Sequence, residues 1–140
     1  DTSNVEIMEG LFRACISLTN LDVSHFNTSR VTDMNWMFDG DTSLTSLDVS
    51  HWDTSNVIYM GNMFNGCDKL TSLDVSGWNT GKVENFSGTF GNCKALTTLD
   101  VSHWDTSSVK NMETMFYGCS KLSALDVSKW DTGTVKSMSC

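Results

Sequence analysis

The tetrapeptide Leu-Asp-Val-Ser recurs at Leu21, Leu47, Leu73, Leu99 and Leu125, each 26 residues after the last, with no insertion or deletion. Written out at that period, the chain resolves into columns. Leu18, Leu44, Leu70, Leu96 and Leu122 form one, Val5, Val31, Val57, Val83, Val109 and Val135 a second, and Phe12, Phe38, Phe64, Phe90 and Phe116 a third. Independent domains drift out of register; a chain this regular consists of units that each bury their apolar face on the next. Residues 1–140 are therefore expected to form one array of about 5.4 copies. Asp1 begins mid-repeat and Cys140 stops partway through another, with no polar cap at either end, so the array is expected to be cut from a longer one that can associate end to end.

Within a copy, Leu47 and Val49 alternate with Ser46, Asp48 and Ser50, the period-2 pattern of a short strand with one buried face. From Val57 the apolar residues fall at Met60, Met63 and Phe64, spacings of three and four that mark a helix or 3₁₀ face. Asp53, Thr54 and Ser55 could cap that segment, and Gly66 suits its reversal. The expected fold is an α/β repeat solenoid, with one short parallel strand and one short helix or 3₁₀ segment per 26-residue repeat. The strands are placed near 20–24, 46–50, 72–76, 98–102 and 124–128. Ordinary usage would give about seven prolines in a chain this long. There are none, as a stacked strand ladder that needs every N–H requires.

The unit Leu44-x-x-Leu47-x-Val49-x-x-Trp52-x-Thr54-x-x-Val57 resembles the leucine-rich-repeat frame, with Trp where that frame usually has Asn. The full pattern LxxLDVSxWDTSxVxxMxxMFxGC more closely resembles the 26-residue repeat of BspA-like bacterial surface proteins, across nearly all of the chain. The resemblance implies a right-handed, leucine-rich-repeat-like coil in an exported or cell-wall-associated protein serving adhesion or host contact. Departures are local. Phe26 replaces Trp, Thr89 and Leu11 replace the second Met, Phe86 replaces the first, and Asp41 replaces Cys. Asp41 alone is a change that a packed column does not readily tolerate.

Composition narrows the function classes. Seventeen acidic against nine basic residues, a net charge of -8 and no basic run argue against a surface built to neutralise nucleic-acid phosphates. No apolar run is long enough to span a membrane. Nine of the thirteen aspartates fall in two columns, so most of the acidity belongs to the repeat itself.

Those columns carry the candidate chemistry. Asp22, Asp48, Asp74, Asp100 and Asp126 should form an outward ladder about 5 Å apart, where like charges repel. Calcium shared between neighbouring carboxylates, with Ser24, Ser50, Ser76, Ser102 and Ser128, would offset the repulsion. One Asp and one Ser per copy is too few oxygens without water. The favoured reading is local bonding to backbone N–H and serine groups, with no resident cofactor. Asp1, Asn27, Asp53, Asn79, Asp105 and Asp131 alternate acid and amide, which suits turn or cap acceptors. Phe26, Trp52, Trp78, Trp104 and Trp130 are expected in the core rather than as a sugar-stacking stripe. Cys15, Cys67, Cys93 and Cys119 are expected as buried free thiols, and Cys140, outside that column, as the reactive one.

No nucleophile, base and orienting group can be assembled, and a repeated polar feature is the opposite of a local active site, so catalysis is not expected. Variation between copies is concentrated at His25, His51 and His103 after the strand and at Arg30, Lys82 and Lys110 on the helix exterior. A specific protein contact is expected on that side, leaving the uniform aspartate face solvated or facing a repetitive ligand such as a glycan. The alternatives are a stiff spacer presenting another domain and, through the periodic Thr2, Thr28, Thr54, Thr80, Thr106 and Thr132, an ice-binding surface.

Overall fold

The computed structural model describes residues 1–139. The chain returns to the same place every 26 residues. Parallel bridges link Ile7 to Asp33, Asp33 to Tyr59, Tyr59 to Asn85, Asn85 to Asn111 and Asn111 to Ser137. Five coils (1–26, 27–52, 53–78, 79–104 and 105–130) and the start of a sixth stack in register.

The expected α/β solenoid of the leucine-rich-repeat type, with a strand and a helix in each copy, is not what these coils contain. Among the described residues there is no helix and no continuous strand. The reason lies in how backbone N–H groups are shared out. Along 60–67, the N–H groups of Met60, Asn62, Phe64 and Gly66 donate to Asn85, Ser87, Thr89 and Gly91 of the next coil, at 2.7–3.1 Å. Those of Met63, Asn65 and Cys67 donate back three residues, to Met60, Asn62 and Phe64, at 3.1–3.3 Å. Alternate amides thus close local turns and tie neighbouring coils together. An α-helix would need them all at i−4, and a strand would need its partners on neighbouring strands.

Two columns of left-handed residues enforce this pattern. Ala14, Gly40, Gly66, Asn92 and Gly118 make one, with φ from 56° to 78°. Gly10, Trp36, Asn62, Gly88 and Thr114 make the other, with φ from 53° to 60°. Regular right-handed helix cannot pass through either position. Spacings of three and four at Met60, Met63 and Phe64 therefore report successive turns whose side chains share one face.

The expected strands shrink to single bridges, Asn20 to Ser46 and Ser72 to Thr98, and 124–128 has none. Here the sequence itself interrupts the ladder. Ser50 gives its N–H to the Asp48 carboxylate, two residues back, at 3.1 Å. Trp52 then closes a turn on Val49. The alternation of Leu47 and Val49, buried, with Ser46, Asp48 and Ser50, exposed, is real. It sets side-chain direction without a strand ladder. The absence of proline reflects the demand of turns and inter-coil bonds together.

The core is a stack of like residues. Phe12, Phe38, Phe64, Phe90 and Phe116 lie ring over ring at 5.4–5.8 Å. Trp52, Trp78 and Trp104 are buried beside them. The Trp78, Trp104 and Trp130 indoles donate to the carbonyls of Val49, Val75 and Val101 at 3.1–3.2 Å. Stacked aromatic pairs contribute about 0.5–1.5 kcal/mol each beyond their burial. Thr28, Thr54, Thr80 and Thr106 are buried too, and each hydroxyl donates to a carbonyl of the next coil at 2.8–3.0 Å. These four threonines bind their own fold and present no surface to ice.

Candidate functional site

The aspartate of each Leu-Asp-Val-Ser segment stands exposed on one face of the stack. Its geometry is local. In all five copies the Oδ1 atom accepts the backbone N–H of the serine two residues on, at 2.9–3.1 Å. At Asp48, Asp74, Asp100 and Asp126 it also accepts the serine hydroxyl, at 2.6–2.7 Å. The serine hydroxyl, then the serine N–H, hold Asp48, Asp100 and Asp126 below the ordinary carboxylate range. Each of the five carboxylates is pinned by one oxygen. Among the described residues, no three His, Cys, Asp or Glu side chains converge as a metal site.

Two shallow depressions run between these carboxylates. One, of about 590 Å³, has Leu73 and Leu99 in its lining with Asp74, Thr98, Asp100 and Asp126 around them. The other, of about 390 Å³, repeats the arrangement with Leu21, Asp22, Leu47 and Asp48. Ser72 borders both, so the two follow one another along the stack.

The histidines flank this face. His25, His51 and His103 are exposed, and His51 Nδ1 lies 3.9 Å from Asp48 Oδ1. Arg30, Lys82 and Lys110 each clamp the preceding coil. Arg30 donates to Asn4 and Glu6 at 3.0 and 2.9 Å, Lys82 to Asn56 at 2.7 Å, and Lys110 pairs with Glu84 at 2.7 Å. The sequence grouped these six residues as one variable surface. The structure differs on their partners: His51 lies beside an aspartate of the carboxylate face, and the three cations bind groups of the preceding coil.

The second polar column behaves as turn chemistry. Asp1, Asn27, Asp53, Asn79, Asp105 and Asp131 each accept the N–H two residues on, at 2.8–3.2 Å. The thiols of Cys67, Cys93 and Cys119 donate to the carbonyls of Phe38, Phe64 and Phe90 at 3.0–3.3 Å. Burial raises all three above the ordinary thiol range. Cys15, Cys67, Cys93 and Cys119 are free; Cys15 is exposed rather than buried as its column suggested. Cys140 lies outside the described residues. The reversal expected at Gly66 is one member of the first left-handed column; that the conformation continues through Asn92 and recurs in a second column at Trp36, Asn62, Gly88 and Thr114 was not anticipated.

A family model described as "Mycoplasma protein of unknown function, DUF285" matches residues 1–98 and again 68–140. The chain belongs to that family. No curated protein and no solved structure matches it. The DUF285 match spans the whole repeated region, so the columns described above are the family's repeat as this chain carries it. Among the described residues, no helix is long and apolar enough to cross a membrane.

Proposed function

We propose that this chain is a non-catalytic, extracellular repeat module of the BspA-like kind, presenting its aspartate face to a host-surface or cell-surface ligand. The observation that carries the reading is the succession of open depressions along Asp22, Asp48, Asp74, Asp100 and Asp126. Each carboxylate keeps a second oxygen beyond the one pinned by serine, aimed at accepting hydrogen bonds. A periodic row of such acceptors beside serine and threonine hydroxyls suits a repetitive polyhydroxylated ligand, so a glycan is favoured over an irregular protein surface. Arg30, Lys82 and Lys110 are already engaged between coils, which moves the contact away from the side the sequence favoured.

The test is binding to an array of bacterial and host glycans, compared between the parent chain, Asp74→Asn with Asp100→Asn, and Lys82→Glu with Lys110→Glu. The aspartate pair should lose at least tenfold in affinity while the lysine pair keeps it. The opposite outcome would return the contact to the cationic side.

A second reading, a stiff spacer, is favoured by the uniform ties between coils: backbone bonds, threonine hydroxyls and ion pairs such as Lys94 to Asp68 at 2.9 Å. Absence of binding to any glycan or cell-surface protein would favour it.

A further inference from the structure

One copy breaks the thiol column. Asp41 stands where the other coils place Cys15, Cys67, Cys93 and Cys119, and it is fully buried. Its Oδ1 atom accepts the Cys15 N–H at 2.7 Å. Its Oδ2 atom is buried with no partner. Every thiol bond in this column runs to the phenylalanine carbonyl 29 residues earlier. By the same register, the carbonyl offered to Asp41 is that of Phe12. A carboxylate cannot use it, since both groups only accept; a neutral carboxylic acid can, because its O–H is a donor.

We propose that Asp41 is a proton-operated latch between the first two coils: as the neutral acid it donates to the Phe12 carbonyl and closes the seam, and as the carboxylate it loosens it. Of the groups around it, only the Cys15 N–H favours the charged form. Asp39, on its own coil, is a second carboxylate, itself paired with Arg13 of the coil before at 2.9 Å. The coil before offers the Cys15 N–H, and the coil after offers the buried Cys67 thiol, which burial keeps protonated. Burial, opposed by the Cys15 N–H and aided by Asp39, raises Asp41 from 3.8 to about 6. An acid with a raised folded-state value stabilises fully below the unfolded value, and that stability drains away as pH rises through the folded one. The window is therefore pH 3.8 to about 6, across which Asp41 weakens folding by roughly 100-fold in equilibrium constant.

Urea unfolding of the parent chain, Asp41→Asn and Asp41→Cys at pH 5.0 and 7.5 tests this, with a ¹³C-carboxyl titration of Asp41 in the folded parent. Asn keeps an acceptor for Cys15 and supplies an uncharged donor; Cys restores the residue of the column. The parent should lose about tenfold in folding constant relative to both variants between the two pH values, and the Asp41 carbon should titrate near pH 6. Protection factors at Phe12 and Cys15, corrected for the intrinsic pH dependence of exchange, should fall at the higher pH in the parent only. Parallel pH dependence in parent and variants, or a titration midpoint at or below pH 4, would overturn the latch. The titration needs no variant, so the proposal stays testable if neither substitution folds.

Discussion

Thr114 holds φ at 53°, a left-handed conformation that its column fills elsewhere with Gly10, Trp36, Asn62 and Gly88. A side chain with a Cβ gives up about 1–2 kcal/mol there, and β-branching places Thr among the least suited residues. Replacing it by glycine removes that strain but enlarges the unfolded ensemble, a loss of about 0.5–1 kcal/mol. Thr114 is exposed, so little burial is forfeited. Its backbone bonds, N–H to Ser139 at 2.7 Å and carbonyl from Tyr117 at 3.1 Å, need no side chain. The net expectation for Thr114→Gly is a gain of about 0.5–1 kcal/mol. At about 2.1 cal/mol/K per residue of unfolding entropy, a chain of this length gains roughly 2–3 °C in Tm. Differential scanning calorimetry at pH 5, with Thr114→Val as the opposite control, measures it. A Tm for Thr114→Gly at or below the parent's would show that the left-handed columns store no strain, and that the account of why helix is excluded is wrong.

Three further outcomes follow from the same geometry. Phe64→Ala removes a ring stacked on Phe38, Phe90 and Trp78 and should destabilise the chain by about 3–5 kcal/mol, read by urea unfolding. Thiol labelling under native conditions should modify Cys15 within minutes and leave Cys67 and Cys93 unreacted until the chain unfolds, as peptide mapping would show. Ser102→Ala removes the leading cause of the lowered Asp100 value, so its ¹³C titration midpoint should rise toward 3.8. Since a lowered carboxylate stabilises above its unfolded value and loses that support as pH falls through the folded one, the variant should also show less acid sensitivity below pH 3.8 than its parent.

Much of the burial pattern could be read from the columns. Phe38, Phe64 and Phe90, Val31 through Val109, and Trp52, Trp78 and Trp104 are buried, because identical neighbours above and below leave each side chain only one environment to satisfy. The turn aspartates were legible for a similar reason: an Asx acceptor works within three residues and needs no knowledge of the rest of the coil. Hydrogen-bond destination was not legible. Periodicity at Met60, Met63 and Phe64 reports which side chains share a face, and a chain of turns satisfies it as well as a helix does. What separates the two is the left-handed positions at Asn62 and Gly66, and within the Asn62 column Trp36 and Thr114 hide the signal. The aspartate face was visible as a row of charges. Its depressions were not, because they depend on Leu73 and Leu99 lying just below the rim.

The sharing of amides between turns and neighbouring coils has a mechanical consequence. Each coil is sewn to the next by its own set of bonds, and those bonds lie along the stacking axis rather than across it. Pulled by its two ends, such a chain does not shear as a sheet does; coils come away from an end in sequence. Each release frees 26 residues, roughly 90 Å of extended chain from a rise of about 5 Å. A tether of this construction would lengthen many times over at nearly constant force, dissipating load one coil at a time while the remainder stays folded.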